Sequence, residues 1–293
     1  MAVTLTQLRA FLAVAHDGSV QGAATHLFVS QPSVSAALAA LEREVGVDLL
    51  ERYGRGIRLT AAGEAYVPYA AQVLGLLEQG SAAAHEAERP GAARIRVAAV
   101  NTAGEYVLPS LIQAYRRIEP EAQILLEIGN RRIVLERVES RAADVGIGGR
   151  PVGRNVVGRE FLANELIVVG REQPDDLSEA AWLLREEGSG TRAATEAFLA
   201  ERGVEPREIL TLGSNGAVKQ AVALGLGVSL LSLHAVAREL REGTLVQIAA
   251  PGKRLVRPWH TLLLRGAEPR PAVKRFLDFV HSGAAKKGIE ESL

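Results

Sequence analysis

The sequence predicts an α/β protein in three parts: a winged helix-turn-helix at about residues 1–60, a linker helix at 61–89 and a two-lobed α/β domain at 94–293. Three observations favour this fold class. Two short amphipathic helices follow Ser19 and Ser30, and their connection is too short for them to lie antiparallel. An alanine-rich stretch with apolar residues at helical spacing comes next. Beyond it, strand and helix patterns alternate, which predicts a parallel sheet covered by helices.

Composition limits the possible functions. The 293 residues include 34 basic and 34 acidic side chains and no cysteine. Because the net charge is zero, DNA binding requires a local arginine cluster rather than a basic domain. The lack of cysteine excludes disulfides, thiolate catalysis and cysteine-ligated zinc, and it fits a reducing cytoplasm. No apolar run approaches the ~20 residues of a membrane helix, so we expect no membrane partner.

Capping residues define the helices of the first part. Thr4 and Gln7 form a capping box that opens the first helix. This prediction is favoured over a secretory signal, because the apolar run that follows is too short. Ser19 is placed to cap the second helix and Ser30 the third, while Gly46 is placed to end the third.

The third helix has one apolar face, formed by Val34, Leu38, Leu41 and Val45. The polar and small residues near its N-terminus therefore face outward. The stretch at residues 49–59 suits a two-stranded wing with a basic tip. Two small helices with an apolar face are also common in ordinary helical domains, so this spacing alone leaves both interpretations open.

The identities of the residues in this region are more specific than their spacing. It resembles the N-terminal motif of the LysR-type transcriptional regulators, matched here by Ala23, Ala24, Leu27, Val29-Ser30-Gln31-Pro32, Ser35, Leu41-Glu42, Val45-Gly46, Leu50-Glu51-Arg52, Arg58, Leu59-Thr60 and Ala62-Gly63. The resemblance implies sequence-specific binding to double-stranded DNA, regulated by a small effector. It also implies a homodimer or homotetramer and a contact with RNA polymerase.

The DNA-binding residues are expected at the start of the third helix and in the wing. Amides at a helix N-terminus favour phosphate, and Gln31 can bind an adenine edge. Ala36 and Ala37 stand where polar or basic residues are common in the family, so base contacts should be sparse and phosphate contacts important. The predicted set is Ser30, Gln31, Pro32, Ser33, Ser35, Ala36, Arg52, Arg55 and Arg58.

The linker helix has an apolar seam of Ala70, Val73, Leu74, Leu77 and Ala84. A partner helix from a second copy of the chain is the simplest cover for this seam, and the family resemblance implies the same antiparallel dimer. A solvated linker helix is the alternative. The Arg89-Pro90-Gly91 sequence should end the helix and form a hinge.

The remaining chain resembles the two-lobed architecture of type 2 periplasmic binding proteins, which forms the effector domain of LysR-type regulators. The first lobe is expected at about residues 94–161 and 266–293, and the second at about 162–265. Within them we expect a helix over 104–118 and a strand over 161–169 that crosses between the lobes.

A small anionic effector (a carboxylate, phosphate or oxyanion) is expected between the lobes. Small residues let the backbone approach a ligand, while amides, hydroxyls and an arginine donate to it. The alternative is a purely structural role, in which residues 188–191 only cap a helix. The family's effector contacts support Thr102, Asn130, Ser189 and Thr191, and the full predicted set is Asn101, Thr102, Asn130, Gly188, Ser189, Gly190, Thr191 and Arg192. The run 184–192 looks most like the branch that controls carbon fixation or sulfur-oxyanion metabolism.

Enzyme motifs are absent from the sequence. The 188–190 run is not a G-x-S-x-G elbow, and no Walker loop or dinucleotide fingerprint occurs. The six histidines are scattered along the sequence, so we expect no catalytic residue, metal site or cofactor. Two rival functions stay open: a solute-binding protein with a helical extension, which needs an export signal, and an enzyme that binds phosphate at the 188–192 loop.

Overall fold

The computed structural model describes residues 3–54, 56–89, 91, 93–151, 155–250 and 252–290. Contacts divide the chain into two compact units, Met1–Ala84 with Glu139–Ala142, and His85–Val138 with Ala143–Leu293. Arg55 and Pro90, which belong to the predicted wing and hinge, lie outside the described residues.

The first unit is helical with a small hairpin. Its elements are α1 (Leu5–Asp17), α2 (Val20–Leu27), α3 (Gln31–Val45), β1 (Leu50–Tyr53), β2 (Gly56–Leu59) and most of α4 (Ala61–Glu88). The predicted capping box at Thr4 and Gln7 is present, and Ser19 and Ser30 cap α2 and α3 through their hydroxyls. Gly46 ends α3 in the left-handed conformation.

The core of this unit confirms the predicted inner face of α3. Val34, Leu38 and Leu41 are buried, and Val45 packs against the same core from a half-buried position. The outer side of α3 is therefore left to solvent. The hairpin β1–β2 is antiparallel, and the amide of Ile57 attaches it to the carbonyl of Gly18 with an N···O distance of 2.9 Å.

The first lobe of the second unit contains a five-stranded sheet in the order β4-β3-β5-β13-β6. Its elements are β3 (Arg94–Val100), α5 (Asn101–Tyr106), α6 (Leu108–Arg116), β4 (Gln123–Gly129), α7 (Arg131–Glu139), β5 (Val145–Gly148), β6 (Val156–Leu162), β13 (Trp259–Leu264), α11 (Pro271–Val280) and α12 (Gly283–Glu290). Strand β3 is parallel to β4 and β5, whereas β13 is antiparallel to β5 and β6.

The second lobe contains two smaller sheets. Its elements are β7 (Glu165–Gly170), β8 (Ala181–Arg185), α8 (Gly190–Arg202), β9 (Glu208–Leu212), α9 (Asn215–Ala223), β10 (Ser229–Ser232), α10 (Leu233–Glu242), β11 (Val246–Gln247) and β12 (Leu255–Val256). Strand β7 is antiparallel to β10, β11 and β12, and β8 is parallel to β9. The indole of Trp182 is fully buried in the core of this lobe.

Several predicted elements are wrong in detail. The helix expected over 104–118 is two helices that meet at Val107, because Pro109 has no amide proton to continue the first one. The strand expected over 161–169 is also split, into β6 and β7. The chain turns between them at buried Asn164, whose side-chain oxygen accepts a hydrogen bond from the Ser232 hydroxyl at 2.6 Å.

The expected lobe boundary at residue 265 also needs correction. Strand β13 pairs with β5 and β6, so it belongs to the first lobe, and the chain returns there between Val256 and Trp259. The sheet expected to be parallel is mixed, because β13 enters it from the other lobe and runs in the opposite direction. Among the described residues, no helix combines the length and the hydropathy needed to cross a bilayer.

Candidate functional sites

The N-terminal end of α3 presents a polar surface. Gln31, Pro32, Ser33, Ser35 and Ala36 are all exposed, as predicted. The Ser30 hydroxyl accepts from the Ser33 amide at 3.3 Å and lies 2.8 Å from the Ser33 hydroxyl. The two serines therefore stabilise the first turn, while Gln31 and Ser35 have their side chains turned to solvent.

The turn before α3 contains an exposed aromatic residue that was not among the predicted DNA-binding residues. Phe28 ends α2 in the left-handed conformation with φ 56°, and it is 95% exposed. A phenylalanine so fully exposed loses its burial energy, of the order of 2 kcal/mol. Its place beside Ser30 puts an apolar surface next to the polar end of α3.

The wing arginines do not share one face of the hairpin. Arg58 pairs with Glu51 across the two strands, and Arg52 pairs with Ile57, so their side chains lie on opposite faces. Arg58 Nε donates to Glu51 Oε1 at 2.6 Å, and its guanidinium lies over the Tyr53 ring, 4.5 Å from the centroid. Arg58 is thus partly neutralised by a carboxylate, whereas Arg52 is exposed with no ion pair among the described residues.

A cleft separates the two lobes of the second unit, and its space is about 650 Å³ with open solvent included. A concave site between two lobes, lined by a few convergent polar groups, is a common place for a small-molecule ligand. The cleft brings together six of the eight predicted effector residues, all except Gly188 and Arg192. Its lining consists of Val100, Asn101, Thr102, Gly129, Asn130, Arg131, Gly149, Asn164, Leu166, Arg185, Glu186, Ser189, Gly190, Thr191, Arg257 and Trp259.

The N-terminus of α8 forms one wall of the cleft. Ser189 is the N-cap residue, but its side chain makes no capping hydrogen bond. The alternative that this loop only caps a helix is therefore not supported. The 13-residue helix α8 directs amide groups and a partial positive charge toward the cleft. Gly188 adopts φ +81°, a conformation that turns the chain into the helix and that few other residues tolerate.

Arg192 was expected to bind the effector, and its position does not support this. Its Nε donates to Glu196 Oε1 at 2.8 Å, and its Nη1 donates to the Arg185 carbonyl at 3.3 Å. An arginine and a glutamate four residues apart lie on the same side of a helix and pair along it. The guanidinium is directed along α8 and does not line the cleft.

Other cationic side chains supply the charge instead. Arg131, at the start of α7, and Arg257, in the segment that connects β12 to β13, both line the cleft. Burial lowers the pKa of Arg257, and the positive charge of Arg131 lowers it further. Two guanidinium groups that repel one another across a cleft favour an anion between them. Arg257 is held in place by donation from Nη1 to the Gly190 carbonyl at 3.0 Å.

A buried hydrogen-bond network joins the lobes at the base of the cleft. Asn215 Nδ2 donates to Thr102 Oγ1, and Arg185 Nη1 donates to Asn215 Oδ1. Asn101, in the orientation that satisfies its amide, donates to the Gly129 carbonyl at 2.9 Å and accepts from Arg185 Nη2 at 2.8 Å. Arg185 also forms a bidentate pair with Glu186, at 2.7 and 2.9 Å.

Trp259 adds a donor that was not predicted. The residue is 6% exposed and lines the cleft, and its indole nitrogen has no hydrogen-bond partner among the described residues. Sequence signals for these additional residues were weak. Arg131, Arg185 and Arg257 each follow or end a strand or begin a helix, but arginines at such places are common.

Comparison with known proteins agrees with this two-part organisation. Residues 5–64 match the family described as bacterial regulatory helix-turn-helix protein, lysR family. Residues 88–285 match the family described as LysR substrate binding domain.

Individual relatives cover nearly the whole chain. The HTH-type transcriptional activator CmpR of Synechocystis is 33% identical over 94% of both chains. The RuBisCO operon transcriptional regulator of Acidithiobacillus ferrooxidans is 35% identical over 96% of this chain and 94% of the relative. The regulatory domain of Synechocystis CcmR, solved in complex with 2-PG, is 30% identical, with a TM-score of 0.59, over 64% of this chain and 95% of that domain.

Proposed function

The chain belongs to the LysR family of transcriptional regulators, and we propose that the N-terminal end of α3 reads its operator while the cleft binds a small anionic effector. Relatives of this chain are regulators rather than enzymes, and they include proteins named for the RuBisCO operon. Neither rival function, the solute-binding protein or the phosphate-binding enzyme, has a supporting relative among them.

The exposed polar end of α3 is the observation on which the DNA-binding proposal rests. Gln31 supplies an amide that can pair with both adenine groups in the major groove. Ala36 and the exposed ring of Phe28 supply apolar surface for thymine methyl groups. Amides of the first turn bind phosphate, and Arg52 adds a phosphate contact from the wing.

The uncapped start of α8 is the observation on which the effector proposal rests. Its amides, the hydroxyls of Ser189 and Thr191, and the guanidinium groups of Arg131 and Arg257 all favour negative charge. The CcmR domain was solved with 2-PG. We therefore propose a small phosphorylated or carboxylated anion for this cleft, with Thr102 and Asn130 as contacts from the first lobe.

A second copy of this chain is proposed as the partner of α4. Tyr69, Val73, Leu76 and Leu77 form an exposed apolar stripe at helical spacing on this 28-residue helix. Only part of the predicted seam is exposed, because Ala70 and Leu74 pack against the core of the first unit. The exposed stripe fits a helix from another subunit, and the homodimer or homotetramer remains a proposal.

Effector binding would change the relative populations of two lobe arrangements. This change would in turn alter the spacing or the bend of the DNA held by paired subunits. RNA polymerase is the proposed recipient of this change, and the cytoplasm is the proposed location. The domain boundaries at residues 60, 89 and 94 stay predictions.

The test is to capture genomic fragments with the purified full-length protein at physiological salt, with and without 2-PG, and to sequence them. We expect a small set of fragments that share one motif, with an occupancy that depends on the anion. Uniform retention of unrelated fragments under both conditions would contradict the proposal.

A further inference from the structure

Three metal-ligand side chains meet where α1 and α2 end. His16 Nδ1 lies 2.7 Å from Asp17 Oδ1, and His26 Nδ1 lies 3.2 Å from Asp17 Oδ2. One ligand atom from each residue lies within 4.8 Å of the other two, and no other such group occurs in the described part of the chain. His16 and His26, which are separated in the sequence, therefore lie close together in the fold.

The helix-turn-helix geometry creates the cluster. Helix α1 ends at Asp17, and Gly18 adopts φ 67°, a left-handed conformation that ends the helix before α2 begins at Val20. One helix later, the last turn of α2 brings His26 back to the Asp17 carboxylate. The side chain of Asp17 is 18% exposed and is held from both sides, whereas His16 is 78% exposed and His26 is 57% exposed.

The local electrostatics favour a cation. Both histidines lie in the last turn of a helix, where the partial negative charge of the backbone carbonyls collects. The Asp17 carboxylate adds a full negative charge between them. A positive ion at this point is therefore stabilised by one carboxylate and by two helix ends.

We propose that His16, Asp17 and His26 bind a divalent transition-metal ion, and Zn²⁺ is the ion that we expect. Two imidazole nitrogens with one carboxylate oxygen suit zinc and its neighbours, whereas calcium and magnesium require oxygen ligands. The exposed rings leave the remaining coordination positions to water. Ligand atoms around zinc lie roughly 3.4 Å apart, so small rotations of the two exposed rings suffice.

The position of this site gives it a consequence for DNA binding. The carbonyl of Gly18, next to Asp17, accepts the hydrogen bond from Ile57 that attaches the wing. A metal ion that joins His16, Asp17 and His26 would fix the corner of α1 and α2 on which the wing rests. We therefore expect Zn²⁺ to raise the melting temperature of the protein and to change its affinity for DNA.

Isothermal titration calorimetry of the metal-free full-length protein with Zn²⁺ tests the site. We expect one ion per chain, bound with a micromolar or tighter Kd. His26→Ala and Asp17→Asn should each weaken binding at least about tenfold. The matched control is His85→Ala, which removes an exposed histidine from α4 and should bind Zn²⁺ as the unchanged protein does.

The variants separate loss of the site from loss of the fold. Asp17→Asn keeps the size of the side chain, and circular dichroism shows whether each variant remains helical. A folded Asp17→Asn or His26→Ala variant that binds Zn²⁺ with unchanged affinity overturns the proposal. Binding that appears only above about 1 mM Zn²⁺ also overturns it, because that corresponds to a weak surface association.

Discussion

The side-chain nitrogen Nδ2 of Asn215 donates a hydrogen bond to Oγ1 of Thr102 at 3.2 Å, and the two residues belong to different lobes. The same nitrogen lies 3.3 Å from Glu105 Oε2, and Asn215 is only 1% exposed. Arg185 donates to the amide oxygen of Asn215. Thr102 is also a proposed effector contact, so the bridge between the lobes and the ligand share one residue.

Asn215→Ala should therefore weaken the connection between the two lobes. The change leaves Arg185 with a buried donor unpaired, and a lost buried hydrogen bond costs about 1–3 kcal/mol. We expect a lower free energy of unfolding by that amount in urea, together with weaker binding of 2-PG in calorimetry. Asn155→Ala, which truncates an exposed asparagine, is the matched control. Equal stability of the two variants would argue against the bridge.

Arg257→Ala should reduce the affinity for anions without affecting DNA binding in their absence. The loss of one charged hydrogen-bond donor is worth about 1.5–3 kcal/mol, or roughly ten- to a hundredfold in Kd. Calorimetric titration with 2-PG and with inorganic phosphate measures this change in Kd. Arg254→Ala is the control, because Arg254 is 82% exposed and pairs with Glu165. An Arg257 variant with unchanged anion affinity would remove this residue from the site.

The two wing arginines should differ in their effect on DNA binding. Arg52→Ala should weaken binding to all sequences and reduce the slope of log K against log salt by about 1. Arg58→Ala should have a smaller effect, because Glu51 already neutralises that guanidinium at 2.6 Å. Fluorescence anisotropy over a range of salt concentrations measures both slopes.

A third wing variant checks this explanation. Glu51→Gln removes the carboxylate and should strengthen DNA binding, since it frees Arg58 for phosphate. If Arg52→Ala and Arg58→Ala reduce the slope equally, and Glu51→Gln has no effect, the ion pair does not limit Arg58.

Leu77→Glu should separate the subunits. This residue is 47% exposed, so the single subunit tolerates the change, whereas a helix–helix interface would have to bury the new charge. Light scattering coupled to size-exclusion chromatography should show a mass near 31.2 kDa for the variant and a multiple of it for the unchanged protein. Glu78→Gln on the same helix is the control. An unchanged mass for Leu77→Glu would place the interface elsewhere.

Local features of the fold were predictable from the sequence. Ser19, Ser30 and Gly46 act within one helical turn of their positions, so their residue types are enough to place helix ends. The same is true of the inner face of α3. Pro109 is a local signal for the break at Val107, and the i,i+4 spacing of Arg192 and Glu196 favours a pair along α8, although neither signal entered the predicted helix or the predicted effector set.

Features that depend on chain crossings were not predictable. Asn215 and Thr102 are 113 positions apart, and nothing near either residue indicates the other. Arg257 and Trp259 reach the cleft because the chain returns to the first lobe at β13, a strand that lies within the range predicted for the second lobe. Likewise, His26 meets Asp17 only through the angle between α1 and α2.

The central claim is that the N-terminal end of α3 reads DNA, and Gln31→Ala tests it most directly. The affinity of this variant for a captured operator should be compared with its affinities for a series of duplexes. Each duplex in the series has one A·T pair of the operator exchanged. The account predicts a loss of about 1–3 kcal/mol for the operator and lost discrimination at a single position. Gln173→Ala, in the second lobe, should behave as the unchanged protein does. Full affinity and full discrimination in Gln31→Ala would contradict the account.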